Sequence, residues 1–392
     1  MKTIPFNRPT VSEAAFAYLR EAVSTGHLSG DGIFTKRCHA LLQEILGSPK
    51  VLLTTSCTHA LEMCALLLDI KPGDEVLLPS FTFVSTVNAF VLRGAKPVFV
   101  DIRPDTLNLD ESLLARHIGP ATRVIVPVHY AGVGCEMEPI RAQAERHTLA
   151  VVEDNAHGLM GAYKGKALGT FGSLATLSFH ETKNFSCGEG GALVINDPRF
   201  AERAEVLREK GTNRNRFYRG QVDKYTWVDI GSSYLPADAL AALLLAQLEN
   251  RHAIQQRRQQ LWLRYAHDLR QWADEQAIRL PFVPAHCQQA FHLFYLLMPS
   301  LEDRHDLILH LKKCEIHAVF HYLPLHLSEM GRSFGGVPGA CPVTEDISDR
   351  LVRLPFFFDL ADEAQARVIQ TLLTFKTGKH RAVTFTPLRK AG

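Results

Sequence analysis

The feature that most constrains this chain is an alternation between residues 51 and 196. Short apolar runs recur at 75–78, 97–101, 123–128, 149–154, 174–179 and 192–195, with helix-like patterns between some of them. Several runs are apolar on both alternating sets of side chains, as strands covered on both faces must be. Between the runs, 58–68 places Leu61, Ala65 and Leu68 on one helical stripe, and Lys71-Pro-Gly-Asp74 then turns the chain into the next strand. Strands alternating with helices predict an α/β fold with a mostly parallel central sheet.

The remainder of the chain reads differently. Residues 236–275 carry a long helical pattern whose character changes from Ala/Leu-rich to Gln/Arg-rich. Beyond it lie a strand pattern at 291–298, a helix at 304–314, an apolar run at 316–322 and a glycine-rich stretch at 331–341 that reads as a loop. A length of 392 residues fits a large domain with a smaller lobe. The expected division is an N-terminal segment (1–29), a large domain (30–250), a small α+β domain (251–376) and a flexible basic tail (377–392).

Composition excludes several function classes. A net charge of +2 gives no global bias toward nucleic acid. No run reaches the ~18 apolar residues of a membrane span, and the N-terminus lacks the apolar run of a signal peptide. The eight cysteines form no C-x-x-C pair, which predicts reduced thiols in a cytoplasmic protein. His317 and His321 have the i, i+4 spacing of a zinc-binding helix, but no Glu follows His317, so no metal is expected. No G-x-G-x-x-G, Walker A or G-x-S-x-G pattern occurs.

The chemistry concentrates at Lys183. It lies just past a strand pattern and just before Gly188-Glu-Gly-Gly191, where the backbone can turn sharply and approach a ligand. A partly desolvated lysine there has a lowered pKa, can form a Schiff base with an aldehyde cofactor and can shuttle a proton between two carbons. Asp154 ends an upstream strand, where α/β sheets bind ligands; it can pair with a protonated pyridine nitrogen or cap a helix. Together the two residues suggest pyridoxal phosphate. Thr54-Thr-Ser-Cys-Thr58, at a strand-to-helix junction, offers an anion site or plain capping, and Ser178 offers a further hydroxyl. Phe83 is a ring stacker or a core residue, and His157 a partner for a phenolic oxygen or a surface histidine.

These motifs resemble the DegT/DnrJ/EryC1/StrS family of sugar aminotransferases. The resemblance rests on Ser178-Phe-His-Glu-Thr-Lys-Asn184, Gly188-Glu-Gly-Gly191, Glu153-Asp-Asn-Ala-His157, Pro79-Ser-Phe-Thr-Phe-Val-Ser-Thr86 and Val126-Pro-Val-His-Tyr-Ala-Gly132, and runs from about residue 5 to 375. It implies the aspartate aminotransferase (type I) fold and a homodimer with shared active sites. It further implies Lys183 as the Schiff-base lysine, Asp154 on the pyridine nitrogen, His157 on the phenolic oxygen and Phe83 stacked on the ring. Cys57, Thr58 and Ser178 would bind the phosphate. The family's cross-subunit segment, often G-Y-N-Y-R, reads Gly231-Ser-Ser-Tyr-Leu235 here, and Ser233 is the expected substitute.

Glu209-Lys-Gly-Thr-Asn-Arg214 and Ala318-Val-Phe-His-Tyr-Leu-Pro-Leu-His326 extend the resemblance toward enzymes that act at C4 of a dTDP-4-keto-6-deoxyhexose with L-glutamate as donor. Tyr322 and His326 are then expected near the sugar. The basic loop 210–224, with Lys210 and Arg214, meets a nucleotide diphosphate or is a solvated surface. Rival expectations are an aminotransferase acting at C3 or on a UDP-sugar, a sugar dehydratase, against which Lys183 weighs, and a pyridoxal-phosphate-binding regulator without turnover.

Overall fold

The computed structural model describes residues 2–378. Seven strands form the main sheet: β1 (Lys50–Thr54), β2 (Glu75–Pro79), β3 (Lys96–Val100), β4 (Thr122–Ile125), β5 (Ala150–Asp154), β6 (Leu174–Ser178) and β7 (Gly191–Ile195). Their spatial order is β1-β7-β6-β5-β4-β2-β3. The run from β6 to β3 is parallel, and β7 is antiparallel to both of its neighbours. The expected α/β, mostly parallel architecture is the one observed.

The strands are apolar over most of their length because both faces are covered. In β2, Val76 and Leu78 join one core layer and Leu77 the other; in β7, Leu193 and Ile195 separate from Ala192 and Val194 in the same way. β1 was expected only as the strand that ends at the Thr54–Thr58 junction, with no range of its own. Its apolar run, Val51-Leu-Leu53, is too short to stand out, and it is held by full antiparallel register against β7.

A second core belongs mainly to the C-terminal part of the chain. It gathers Trp262, Tyr265, Phe294, Leu307, Leu311, Val352 and Val368, with Ile4 from the N-terminus. Here Tyr295–Leu297 pairs antiparallel with Leu351–Arg353. The strand expected over 291–298 is shortened because Phe291 takes a positive φ of 49° and Ala290 bonds instead to Gly132 O. The glycine-rich stretch is not wholly loop: a short helix, Glu329–Ser333, is capped by Ser328 Oγ, which accepts from Gly331 N at 3.0 Å. The long helical region is three helices, Asp238–Glu249, Arg251–Asp268 and Arg270–Glu275.

At the C-terminal edge, Thr377 N donates to Gln276 Oε1 at 2.9 Å and Gly378 N to Asp303 Oδ1 at 2.7 Å. From residue 379 onward, the expected tail lies outside the described residues. No helix among the described residues is long and apolar enough to cross a membrane.

Candidate active site

Thr54, Pro79, Asp154 and Ser178 terminate β1, β2, β5 and β6, and so converge on the edge of the sheet where ligands bind in open α/β folds. Beyond that edge lies a cleft of about 730 Å³, closed on the far side by residues 319–323, Arg353 and Phe356 of the C-terminal lobe.

Asp154 stands on the cleft floor, 5% exposed. It caps no helix. Its Oδ2 accepts from Thr86 Oγ1 at 2.7 Å and its Oδ1 from Ala156 N at 3.2 Å. Thr86 is itself 2.8 Å from Thr82 Oγ1. The neighbouring Glu153 points away from the cleft. It receives His129 Nε2 (2.9 Å) and the backbone N–H groups of Gly169, Phe171 and Gly172 (2.8, 2.6 and 2.7 Å). His129 Nδ1 accepts from Cys135 N at 3.1 Å, which fixes the tautomer that donates to Glu153. This buried network anchors the end of β5 and thereby Asp154.

Lys183 lines the same cleft and makes no ion pair among the described residues. Loss of surrounding water lowers its ammonium pKa to about 8; the charge of Arg353 adds to this, while Cys57 and Asp154 oppose it. The amine is thus a far better nucleophile near neutral pH than an ordinary lysine, with half of it unprotonated at about pH 8. The hairpin that carries it closes on Gly191, which pairs with Ser178. A Cβ at Gly191 would lie 2.3 Å from Cys57 N, so only glycine lets β7 pass this close to the start of helix Cys57–Leu67.

That helix start also faces the cleft. Ser56 Oγ caps it, accepting from His59 N at 3.1 Å, while Thr58 Oγ1 donates to Ser85 Oγ at 2.7 Å. Burial, with the charge of Asp154, pushes the Cys57 thiol up to about 12 and keeps it neutral. Its Sγ lies 3.5 Å from Thr176 Oγ1.

The stack of histidines in the cleft was not foreseen. His157 lies nearly parallel to His292, with ring centroids 4.1 Å apart, and to His321 at 6.3 Å. Burial first, and then nearby positive charge, hold all three well below the usual imidazole range. His292 Nδ1 sits 2.9 Å from Asn184 Oδ1, and Tyr130 Oη 3.0 Å from His321 Nδ1. The Nδ1 of His157 is fully buried without a hydrogen-bond partner. His317 and His321 belong to extended chain, not to a helix. Phe83, 56% exposed, and Tyr322 stand across the cleft mouth, with centroids 6.4 Å apart.

One cleft therefore brings together Cys57, Thr58, Phe83, Asp154, His157, Ser178, Lys183 and Tyr322. Four expected residues lie elsewhere. His326 is fully buried, its Nδ1 2.6 Å from Ser80 Oγ and its Nε2 2.9 Å from Glu345 Oε1, so its hydrogen-bonding capacity is spent inside the fold. Lys210, Arg214 and Ser233 line a second cleft of about 930 Å³ with Asp31, Lys36 and Lys50. There Glu209 pairs with Lys210 at 2.9 Å and Arg214 at 3.3 Å, and Ser233 bridges to Glu209. Thr55 N donates to Tyr234 O at 2.9 Å, which ties this segment to the helix start from the opposite side.

Thr86, His292, His321 and Arg353 complete the first cleft. Thr86 ends the Pro79–Thr86 motif, and its spacing from Thr82 was the available signal. Arg353 gave none, since it comes from a strand 170 residues beyond Lys183 (353 − 183).

The unpartnered Nδ1 of His157, the unpaired amine of Lys183, the seated carboxylate of Asp154 and an open helix start form a donor set that fits pyridoxal phosphate.

Comparison with known proteins points the same way. The model of the DegT/DnrJ/EryC1/StrS aminotransferase family matches residues 9–373. The uncharacterised protein MJ1066 of Methanocaldococcus jannaschii is 32% identical over 380 residues, covering 94% of this chain and 96% of its own. Among solved structures, the aminotransferase TlmJ of Streptoalloteichus hindustanus superposes with a TM-score of 0.87 at 30% identity, covering 95% of this chain and 98% of its own. The pyridoxal-phosphate form of Spr1654 of Streptococcus pneumoniae, described as a candidate sugar aminotransferase, gives 0.87 at 27% identity, with 95% and 98% covered.

Proposed function

We propose that this chain, which belongs to the DegT/DnrJ/EryC1/StrS aminotransferase family and is a pyridoxal-phosphate-dependent aminotransferase, moves an amino group from L-glutamate to C4 of dTDP-4-keto-6-deoxy-D-glucose. The product would be dTDP-4-amino-4,6-dideoxy-D-galactose. The observation that carries the reading is the desolvated amine of Lys183, unpaired in a cleft whose floor holds the carboxylate of Asp154.

Bound pyridoxal phosphate supplies an electron sink that takes an amino group from one substrate and gives it to the next. Asp154, held by Thr86 and Ala156, would face the ring nitrogen and keep it protonated. The helix start at Ser56, Cys57 and Thr58, with Ser178, would receive the phosphate. Phe83 would cover one face of the ring, and the unpartnered Nδ1 of His157 would meet the phenolic oxygen. With an amine near pH 8, Lys183 would hold the cofactor and then carry the proton in both half-reactions.

Tyr322 would contact the sugar. The similarity of segments 209–214 and 318–326 to the enterobacterial-common-antigen 4-aminotransferase supports the C4 position and the dTDP nucleotide. The active unit would be a homodimer. Trp227, 75% exposed, with the exposed Tyr225, Val228 and Ile230, gives a largely apolar segment suited to a partner.

The test is turnover of purified holoenzyme with L-glutamate against a panel of 4-keto and 3-keto sugar nucleotides on dTDP and UDP, with product configuration read by NMR. Amination of the dTDP-4-keto sugar with galacto stereochemistry is expected. Amination confined to 3-keto or UDP substrates would transfer the assignment to those sugars.

A further inference from the structure

The buried guanidinium of Arg258 has no carboxylate partner among the described residues. It projects from helix Arg251–Asp268 onto main chain: its Nε donates to Phe291 O at 2.9 Å and its Nη2 to His292 O. The Phe356 ring covers it, with the centroid 4.7 Å from Cζ. The turn it grips is strained, because Phe291 holds a φ of 49° that a bulky side chain rarely takes. Trp262, one helical turn beyond Arg258, packs on the Phe291 ring with centroids 6.1 Å apart. A buried cation without a counter-ion and a strained turn are both costly, and such costs cluster where a site must be held.

What the turn presents to the cleft is His292. Asn184 Nδ2 donates to Ala290 O at 2.7 Å, so Asn184 Oδ1 faces His292 Nδ1 as an acceptor and the imidazole carries its proton on Nδ1. The carbonyls of residues 290, 291 and 292 are thus all taken, two by Arg258 and one by the residue that follows Lys183. The His292 ring stacks on His157, whose free Nδ1 faces no protein partner. The other charged or titratable groups around this pair are Lys183, Arg353, His321 and Tyr130. Arg258 itself lies behind the turn, outside the residues that line the cleft.

We propose that Arg258 is a positioning residue for the chemistry at Lys183. By holding the carbonyls of Phe291 and His292 it sets the plane on which His157 stacks and the N–H that fixes Asn184 beside the lysine. This rests on the reading above in which His157 meets the phenolic oxygen of the cofactor. A guanidinium presents its N–H groups in one rigid plane and serves two successive carbonyls; an ammonium is a point donor and does not. Small displacements of groups around a reacting centre lower its rate steeply, while a residue outside the cleft leaves substrate binding alone.

The experiment compares holoenzyme of the parent chain with R258M, R258K and H157F. Two quantities are read: the pH midpoint of the bound cofactor's visible absorbance, and the maximal rate and half-saturation of the absorbance change driven by the amino donor. H157F sets the scale and should move the midpoint by about one pH unit. R258M should move it in the same direction by about half a unit or more, and lower the maximal rate about ten- to a hundredfold with half-saturation within about twofold. R258K, which keeps the charge and loses the fork, should fall between the parent chain and R258M and decides the matter if R258M does not fold.

A midpoint and a maximal rate unchanged in the folded variants overturn the proposal, however far their melting temperature falls, since that is the pattern of a residue serving the fold alone. If H157F leaves the midpoint unmoved, the contact between His157 and the phenolic oxygen is wrong. The Arg258 assignment is then judged on the maximal rate: a fall at constant half-saturation upholds it, and no fall overturns it.

Discussion

Thr86 Oγ1 donates to Asp154 Oδ2 at 2.7 Å, and this one hydroxyl, itself 2.8 Å from Thr82 Oγ1, orients the carboxylate on the cleft floor. Thr86→Val keeps the shape and removes the donor. Losing a hydrogen bond to a charged group costs about 1.5–3 kcal/mol. The expected result is a pyridoxal phosphate dissociation constant about 10- to 100-fold higher, read by absorbance titration, with the fold intact by circular dichroism. Unchanged affinity would remove Asp154 from the cofactor contact.

Lys183 couples pH to both loading and stability. Its pKa of about 8 in the fold lies below the unfolded value near 10.5, so the folded chain binds fewer protons between these pH values. Stability of the cofactor-free protein should therefore rise with pH across that window, and below pH 8 the buried charge costs about 3 kcal/mol. Lys183→Met should raise the apo-protein melting temperature at pH 7 and abolish turnover. The rate of covalent loading of the parent chain should fall about tenfold per pH unit below 8 and level off above it. A loading rate flat from pH 6 to 9 would contradict the assigned role.

The second cleft predicts complementation between chains. If Ser233, Lys210 and Arg214 serve the partner's site, K183A and the triple variant S233A/K210A/R214A should each be inactive as homodimers. Refolded together in equal amounts, they should recover about a quarter of parent activity, since half of the dimers are mixed and each mixed dimer has one complete site. No recovery, with mixed dimers verified by mass spectrometry, would mean that each site is built from one chain.

His326 should matter to the fold and not to turnover. His326→Ala strips partners from Ser80 and Glu345 and should cost about 2–3 kcal/mol by urea titration. Activity per folded molecule should stay close to that of the parent chain. Tyr322→Phe, inside the cleft, should show the reverse: little change in stability and a raised KM for the keto sugar.

The sheet was legible because burial on both faces writes continuous apolar runs, and most of the strands were expected within a few residues of where they lie. Lys183 and Asp154 were legible because a strand end followed by a glycine turn, or by a carboxylate, is a local pattern. Motif position alone puts His326 near the sugar; the fold instead surrounds its ring with Ser80 and Glu345, residues 246 positions before it and 19 after. Arg353, Thr86 and the three-histidine stack acquire their meaning only when β5 and the hairpin after β6 meet the C-terminal lobe.

The sequence by itself determined the fold class and singled out the two residues proposed for the chemical centre, since periodicity and turn chemistry are properties of neighbouring residues. Only the tertiary structure decided the antiparallel insertion of β7 between β1 and β6, the separation of Lys210, Arg214 and Ser233 from Lys183, and the placement of an unpaired Arg353 beside it. The physical reason is that these depend on which surfaces exclude water from one another across more than a hundred residues of chain, and no local pattern encodes that.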